Sequence, residues 1–141
     1  MLPDPIALAA IVIVLFPMAY FLLAAPAFLL VKLDIQEVAR LLRGMFSAYF
    51  LMMIIAGTIG AVTFALTGRL GSTIGIGLLA VFAVWARRWF IRRMDAELCA
   101  GDVDAPRRLR RLHWGGMLCN AVQLVAIMAS IPYININLAP A

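Results

Sequence analysis

Charged residues are scarce in this sequence: they make up 13% of its 141 residues, with one histidine and two cysteines. A lone histidine offers neither a cluster of metal ligands nor a pair of axial haem ligands. Cys99 lies in a charged segment and Cys119 in an apolar one, so a disulfide framework is excluded. No Ser or Cys has a base at motif spacing. We therefore expect no catalytic residues, no metal site and no cofactor, and we predict that the protein is not an enzyme.

Hydrophobic residues are correspondingly abundant, at 65% of the chain with a mean hydropathy of +1.02. A soluble domain of this length leaves much of its surface exposed and does not hide so many apolar side chains. The composition therefore predicts an integral membrane protein. The net charge of +5 is typical of membrane topology, and no nucleic-acid-binding module is present, so we expect no nucleic-acid partner.

Long apolar stretches separate the charged segments. A bilayer core of about 30 Å is crossed by about 20 apolar residues in a helix, and continuous hydrophobicity favours helices over alternating strands. The predicted fold is all-α, a polytopic four-transmembrane-helix bundle in a single domain. The predicted spans are about 6–31, 44–68, 70–89 and 112–131. No basic residue precedes the first span, so we expect it, with Met1, to be retained and not cleaved as a signal peptide.

Basic residues are distributed unevenly between the two ends of these spans. Segment 32–43 carries three and segment 87–111 carries eight, so that eleven of the twelve lie on one side, and Arg69 lies alone on the other. The positive-inside rule places both segments in the cytoplasm and both termini outside, with the inner membrane of a bacterium as the expected location.

The larger basic segment contains two arginine clusters around a small acidic patch. Asp104 and Pro106 mark a helix start, so the third and fourth helices are predicted to extend into the cytoplasm as an antiparallel pair. One interpretation is that the arginines only set topology. The other is that they bind anionic lipid headgroups. The candidate headgroup residues are Arg87, Arg88, Arg92, Arg93, Arg107, Arg108, Arg110 and Arg111.

Helix starts, breakers and small residues give further local predictions. The segment 34–37 has the spacing of a capping box at the start of the second helix. Pro17 and Pro26 interrupt the first span, and either shape-fitting or a neighbouring cavity explains them.

Small residues four apart favour close packing of the second and third helices, with a homodimer seam as the alternative. These pairs are Ala56 with Gly60, Gly57 with Ala61, and Gly71 with Gly75.

Polar residues form one stripe on the fourth span. His113, Gly116, Asn120 and Gln123 are spaced by three, four and three residues and so share a helical face. One interpretation is a path or binding site for a ligand or proton, and the other is that Asn120 and Gln123 tie helices together by hydrogen bonds. The spans contain no fully embedded charge, which argues against an ion-coupled pump.

Short motifs in the chain resemble a known family. Pro26 within 21–30, the segment Val38-Ala39-Arg40 and the segment 45–50 are similar to the first half of the small four-helix membrane family called domain of unknown function 4149, itself similar to the transmembrane protein 205 group. Arg111-Leu112-His113 followed by Asn120 and Gln123 resembles the family's last helix. The resemblance implies a four-helix membrane fold and singles out His113, Asn120 and Gln123, but no biochemical activity.

Three functions from different classes follow as hypotheses. The first is a non-enzymatic accessory or assembly subunit that packs against other membrane proteins or against copies of itself. The second is a small carrier or binder of a hydrophobic ligand or lipid, with Pro26, His113, Asn120 and Gln123 as candidate ligand-binding residues. The third is a haem or quinone redox partner.

Overall fold

The computed structural model describes residues 4–136, with side chains through residue 132, and every regular element in that part is helical. The α-helices are α1 (Pro5–Ala24), α2 (Gln36–Leu66), α3 (Leu70–Ala100) and α4 (Ala105–Ile136), and a short 3₁₀ helix (Ala25–Leu29) directly follows α1. Four helices are long and apolar enough to cross a membrane, which confirms the prediction of an all-α chain with four such helices. Met1 lies outside the described residues.

Proline shapes the first helix at both of its ends. Asp4 caps α1 by accepting a hydrogen bond from the Ile6 N–H at 3.0 Å, and Pro5 occupies the first turn, where no intrahelical bond is lost. The helix continues through Pro17 without a break. At Ala25, just before Pro26, the backbone changes to the tighter 3₁₀ geometry.

Short turns join α2 to α3 and α3 to α4. Gly68 has φ +73° and Gly101 has φ +61°, both in the left-handed region that favours glycine and ends helices. Helix α3 contains both its apolar stretch and the arginines from Arg87 to Arg93, and α4 begins with the second arginine cluster. The predicted helix start beside Asp104 is confirmed, since α4 begins at Ala105.

One local prediction about a helix start is wrong. No capping box forms at 34–37, because Ile35 occupies the N-cap of α2 and no side chain caps that turn. The fourth helix continues through Pro132 to Ile136, beyond the predicted span of 112–131. Proline removes a single backbone N–H, and α4 tolerates that loss in its last turns.

The core lies where aromatic side chains of α1, α2 and α3 meet. Phe21, Phe46 and Phe90 are buried, and the Phe46 ring lies 5.2 Å from Phe21 and 5.5 Å from Phe90 between centroids. Tyr49 and Phe50 of α2 complete this aromatic cluster. The cluster lies toward the arginine-rich end of the bundle and gives α4 a fixed surface to pack on.

Small residues bring α2 and α3 together, as predicted. A Cβ added to Gly57 would lie 3.0 Å from Ala80 Cβ, and one added to Gly60 would lie 3.2 Å from Ile76 Cγ2. Gly71 and Gly75 behave differently, because a Cβ at either position would meet no atom within 4 Å. Gly57 and Gly60 thus pack against neighbouring helices inside the bundle, whereas Gly71 and Gly75 face open space.

Candidate functional site

The polar stripe of α4 faces the interior of the bundle along most of its length. His113 and Asn120 are fully buried, with 0% and 1% of their surfaces exposed, and Gly116 lies buried between them. Gln123 is half-buried. The predicted common face therefore exists, and its first three members pack on α1 and α2, whereas Gln123 lies beside an open groove described below.

Asn120 links three helices through its amide group. Its Nδ2 donates to the Met18 carbonyl of α1 at 3.2 Å, and its Oδ1 accepts from the Tyr49 hydroxyl of α2 at 2.8 Å. These contacts are hydrogen bonds between helices, as the interpretation that Asn120 ties helices together predicts. The partnership of Tyr49 was missed at the sequence level, although a tyrosine in an apolar stretch needs a partner for its hydroxyl.

His113 makes a second link between α4 and the end of α1. Its Nε2 lies 2.8 Å from the Ala25 carbonyl, at the residue where the 3₁₀ helix begins. A carbonyl only accepts, so Nε2 is assigned as the protonated nitrogen. The ring packs between Phe28 and Phe46, and its Nδ1 has no hydrogen-bond partner among the described residues.

Gly116 is required by the packing of Phe46. A Cβ at Gly116 would overlap the edge of the Phe46 ring, so only glycine lets α4 approach the aromatic cluster at this level. Gly115, its neighbour in the chain, differs, because a Cβ there would meet no atom within 4 Å.

An elongated cavity of about 510 Å³ lies between α1, α3 and α4, and we call it the α1–α3–α4 groove. It opens on one side of the bundle. Its walls are apolar apart from Ser72, Gln123 and Ser130. Gln123 Oε1 is buried there and accepts no hydrogen bond from a described residue, while its Nε2 lies 3.6 Å from Cys119 Sγ. The groove is lined by Ile11, Val14, Gly71, Ser72, Gly75, Ile76, Leu79, Val122, Gln123, Ala126, Ile127 and Ser130.

A smaller crevice of about 230 Å³ lies between α1 and α4 near the 3₁₀ helix. Phe21, Ala25 and Trp114 line it together with Asn120, whose amide is already engaged. Pro26 is exposed and lines neither this crevice nor the groove. The structure thus does not bring Pro26 together with Gln123, although both were candidates for one ligand site.

The candidate headgroup arginines differ in how they are engaged. Arg108 binds Glu97 at 2.6 Å and Asp102 at 2.8 Å, so the acidic patch is partly neutralised within the bundle. Arg108 also holds the pKa of the Asp102 carboxyl below its ordinary value, chiefly by hydrogen bonding. Arg87 donates to Ser47 Oγ, and Arg110 donates to the carbonyls of residues 29 and 31. The others, with no hydrogen bond or ion pair to a described residue, are Arg88, Arg92, Arg93, Arg107 and Arg111.

Two ion pairs join distant segments and were missed at the sequence level. Arg43 of α2 binds Asp95 of α3 through two of its guanidinium nitrogens, Nε and Nη2, the Nη2–Oδ2 distance being 2.9 Å. At the opposite end of the bundle, Arg69 binds Asp4 at 3.1 Å and ties the α2–α3 turn to the start of α1. Pairing across such sequence separations depends on helix rotation, for which the sequence carries no local signal.

No family model matches the chain, and no curated protein or solved structure is significantly similar to it.

Proposed function

We propose that the chain is a non-enzymatic integral membrane protein with four spans that binds a hydrophobic ligand in the α1–α3–α4 groove. The observation that carries the proposal is the Gln123 side chain, which lines an otherwise apolar cavity and makes no hydrogen bond to another helix among the described residues. Polar residues at membrane depth face the bundle interior or a cavity, and one that lines a cavity is a candidate binding group.

The membrane placement is supported by the hydropathy of the four helices and by the position of the charges. Arg43 with Asp95, and Arg110 with the end of the 3₁₀ helix, gather the basic segments at one end of the bundle. Arg69 and Asp4 lie together at the other. By the positive-inside rule the arginine-rich end is cytoplasmic and both termini are outside.

The chemistry of the groove defines the class of ligand. Its volume of about 510 Å³ is in the range of small-molecule sites, which are mostly apolar with a few polar groups that orient the ligand. Gln123 supplies an amide group, and Ser72 and Ser130 add hydroxyls. The best match is an elongated apolar molecule with one hydroxyl or similar donor, such as a long-chain alcohol.

The test uses photocrosslinking of the full chain in lipid nanodiscs with a diazirine-bearing long-chain alcohol. We expect crosslinks on groove residues, mapped by mass spectrometry, and a loss of about ten-fold in Gly75→Leu, which fills the groove. Gly77→Leu is the matched control, because Gly77 lies on the same helix with open space around it but does not line the groove.

The role of the Gln123 amide is tested by comparing probes. A diazirine alkane of equal length should label the wild-type groove less than the alcohol does, and Gln123→Leu should abolish that preference. Equal labelling of wild type, Gly75→Leu and Gly77→Leu would show that the alcohol reaches only the lipid-facing surface and would refute the groove as a ligand site.

A second candidate function, an accessory subunit, is favoured by Gly71 and Gly75. Both are exposed and four residues apart, and a Cβ at either position would meet no atom within 4 Å. Glycines at this spacing let another transmembrane helix approach closely. The partner would be another membrane protein or a second copy. Native mass spectrometry in mild detergent separates the candidates, since a bound helix adds a polypeptide mass and a ligand adds a small one.

A further inference from the structure

A third cavity, of about 360 Å³, lies between α3 and α4 at the level of the arginine clusters, and we call it the α3–α4 cleft. It shares no lining residue with the α1–α3–α4 groove. At its outer end Glu97 of α3 binds Arg108 of α4 at 2.6 Å, which sets these antiparallel helices in register.

One helical turn nearer the apolar part of the bundle, the cleft presents Arg93 on α3 and Arg111 on α4. They lie four residues before Glu97 and three after Arg108, so the antiparallel register places them at the same level on opposite walls. Both are exposed, and neither has an ion pair or hydrogen bond with a described residue. Since Glu97 is already bound by Arg108, the cleft has a net positive charge.

The next turn of the cleft is apolar. Trp89 and Phe90 of α3 and Leu112 of α4 line it, and Arg93 lies 5.5 Å from the centre of the Trp89 ring. Gly115 completes the floor, and a Cβ there would meet no atom within 4 Å. Within two turns the walls therefore change from an ion pair, through two free guanidinium groups, to an aromatic and aliphatic surface.

We propose that the α3–α4 cleft binds one anionic phospholipid, with its phosphate between Arg93 and Arg111 and the start of an acyl chain against Trp89, Phe90 and Gly115. Guanidinium groups bind phosphate oxygens through paired N–H donors, and basic pockets between membrane helices on the cytoplasmic side hold such headgroups. The proposal rests on the four-span placement, which puts this level of α3 and α4 at the headgroups.

The arrangement goes beyond what membrane topology requires. The positive-inside rule depends on the number of basic residues and not on which helical face carries them. Arg88 and Arg92 lie on the same stretch of α3 as Arg93 and are also exposed, but they do not line the cleft. They therefore provide a control with the same loss of charge.

The test measures lipid retention by native mass spectrometry of the full chain, loaded with equal amounts of phosphatidylglycerol and phosphatidylcholine. We expect wild type to retain one phosphatidylglycerol preferentially. The pair Arg93→Gln and Arg111→Gln should lose that preference by about ten-fold, and the pair Arg88→Gln and Arg92→Gln by less than about two-fold. Equal losses in both pairs would overturn the proposal, since they would show general attraction to the basic surface.

A third variant separates a lipid from a free phosphate compound. Gly115→Leu removes no charge but fills the apolar floor, so it should also lose phosphatidylglycerol, and inorganic phosphate should not displace the lipid from wild type. If Gly115→Leu keeps the lipid while phosphate displaces it, the site recognises a free anion and the phospholipid assignment is wrong.

A further measurement distinguishes failure of the phospholipid proposal from failure of the four-span membrane placement. All variants should stay in the membrane pellet after alkaline carbonate extraction. Release of wild type would refute the four-span proposal itself. Retention of wild type in the membrane with no preference for phosphatidylglycerol would refute the cleft alone.

Discussion

The two halves of α4 meet the rest of the bundle in different ways. From His113 to Asn120 the helix is held against α1 and α2 by hydrogen bonds and by the close fit of Gly116 on Phe46. From Gln123 to Ser130 it borders the open α1–α3–α4 groove. The same polar stripe thus runs from a closed region into an open one. The difference shows that the role of a polar residue in an apolar helix depends on what the neighbouring helix offers at that level.

The largest effect on stability is expected at Gly116. In Gly116→Val the new side chain must overlap Phe46, so we expect the free energy of unfolding to fall by at least about 2 kcal/mol. Gly115→Val is the matched control, because its side chain enters open space and should change stability little. Thermal unfolding in mild detergent measures both. Equal stability of the two variants would contradict the tight fit of α4 on Phe46.

A smaller effect is expected at Asn120. Asn120→Leu removes two hydrogen bonds and leaves the Tyr49 hydroxyl unpaired, so we expect a loss of about 1–2 kcal/mol. Gln123→Leu, on the same stripe, should change stability by less than about 0.5 kcal/mol, because the Gln123 side chain makes no hydrogen bond to another helix among the described residues.

A double-mutant cycle tests the Tyr49–Asn120 hydrogen bond directly. If the hydroxyl and the amide interact as described, Tyr49→Phe should add little to the loss already caused by Asn120→Leu. Fully additive losses would show that the two side chains act independently and would refute the Tyr49–Asn120 link.

The smallest effect is expected outside the apolar region, at Asp102. Its pKa is lowered by Arg108, so the stabilising ion pair is complete above the ordinary aspartate pKa and is lost as the pH falls through the lowered value. Wild type should therefore melt slightly above Asp102→Asn at neutral pH, and the difference should shrink as the pH falls below the ordinary aspartate pKa and vanish below the lowered one. A difference that stays constant across this range would refute a charge-dependent contact.

Much of the architecture was predictable from the sequence because it depends on local composition. Apolar stretches between charges predict the four helices, and Gly68, Asp104 and Gly101 mark their ends with known backbone preferences. The prediction of a capping box was wrong although it also rested on local sequence. The N-cap of α2 is Ile35, so the Asp34 side chain does not cap the helix.

The candidate site was predictable only in part. The spacing of His113, Asn120 and Gln123 placed them on one face, and that face is present. Their partners were not predictable, because Tyr49 and the carbonyls of α1 are brought near by the rotation and register of whole helices. For the same reason the sequence did not indicate that Gly57 is used in packing whereas Gly75 opens onto a groove.

The two hydrogen bonds between α1 and α4 also have a mechanical consequence. Asn120 bonds to residue 18 and His113 to residue 25, so the attachment points are seven residues apart on both helices. Two fixed points prevent α4 from sliding along α1 and so set the register of these two antiparallel helices. Beyond Asn120, α4 makes no hydrogen bond to another helix among the described residues, and the width of the groove there depends on apolar packing, such as that of Ile127 against the buried cluster that includes Ile11 and Phe64.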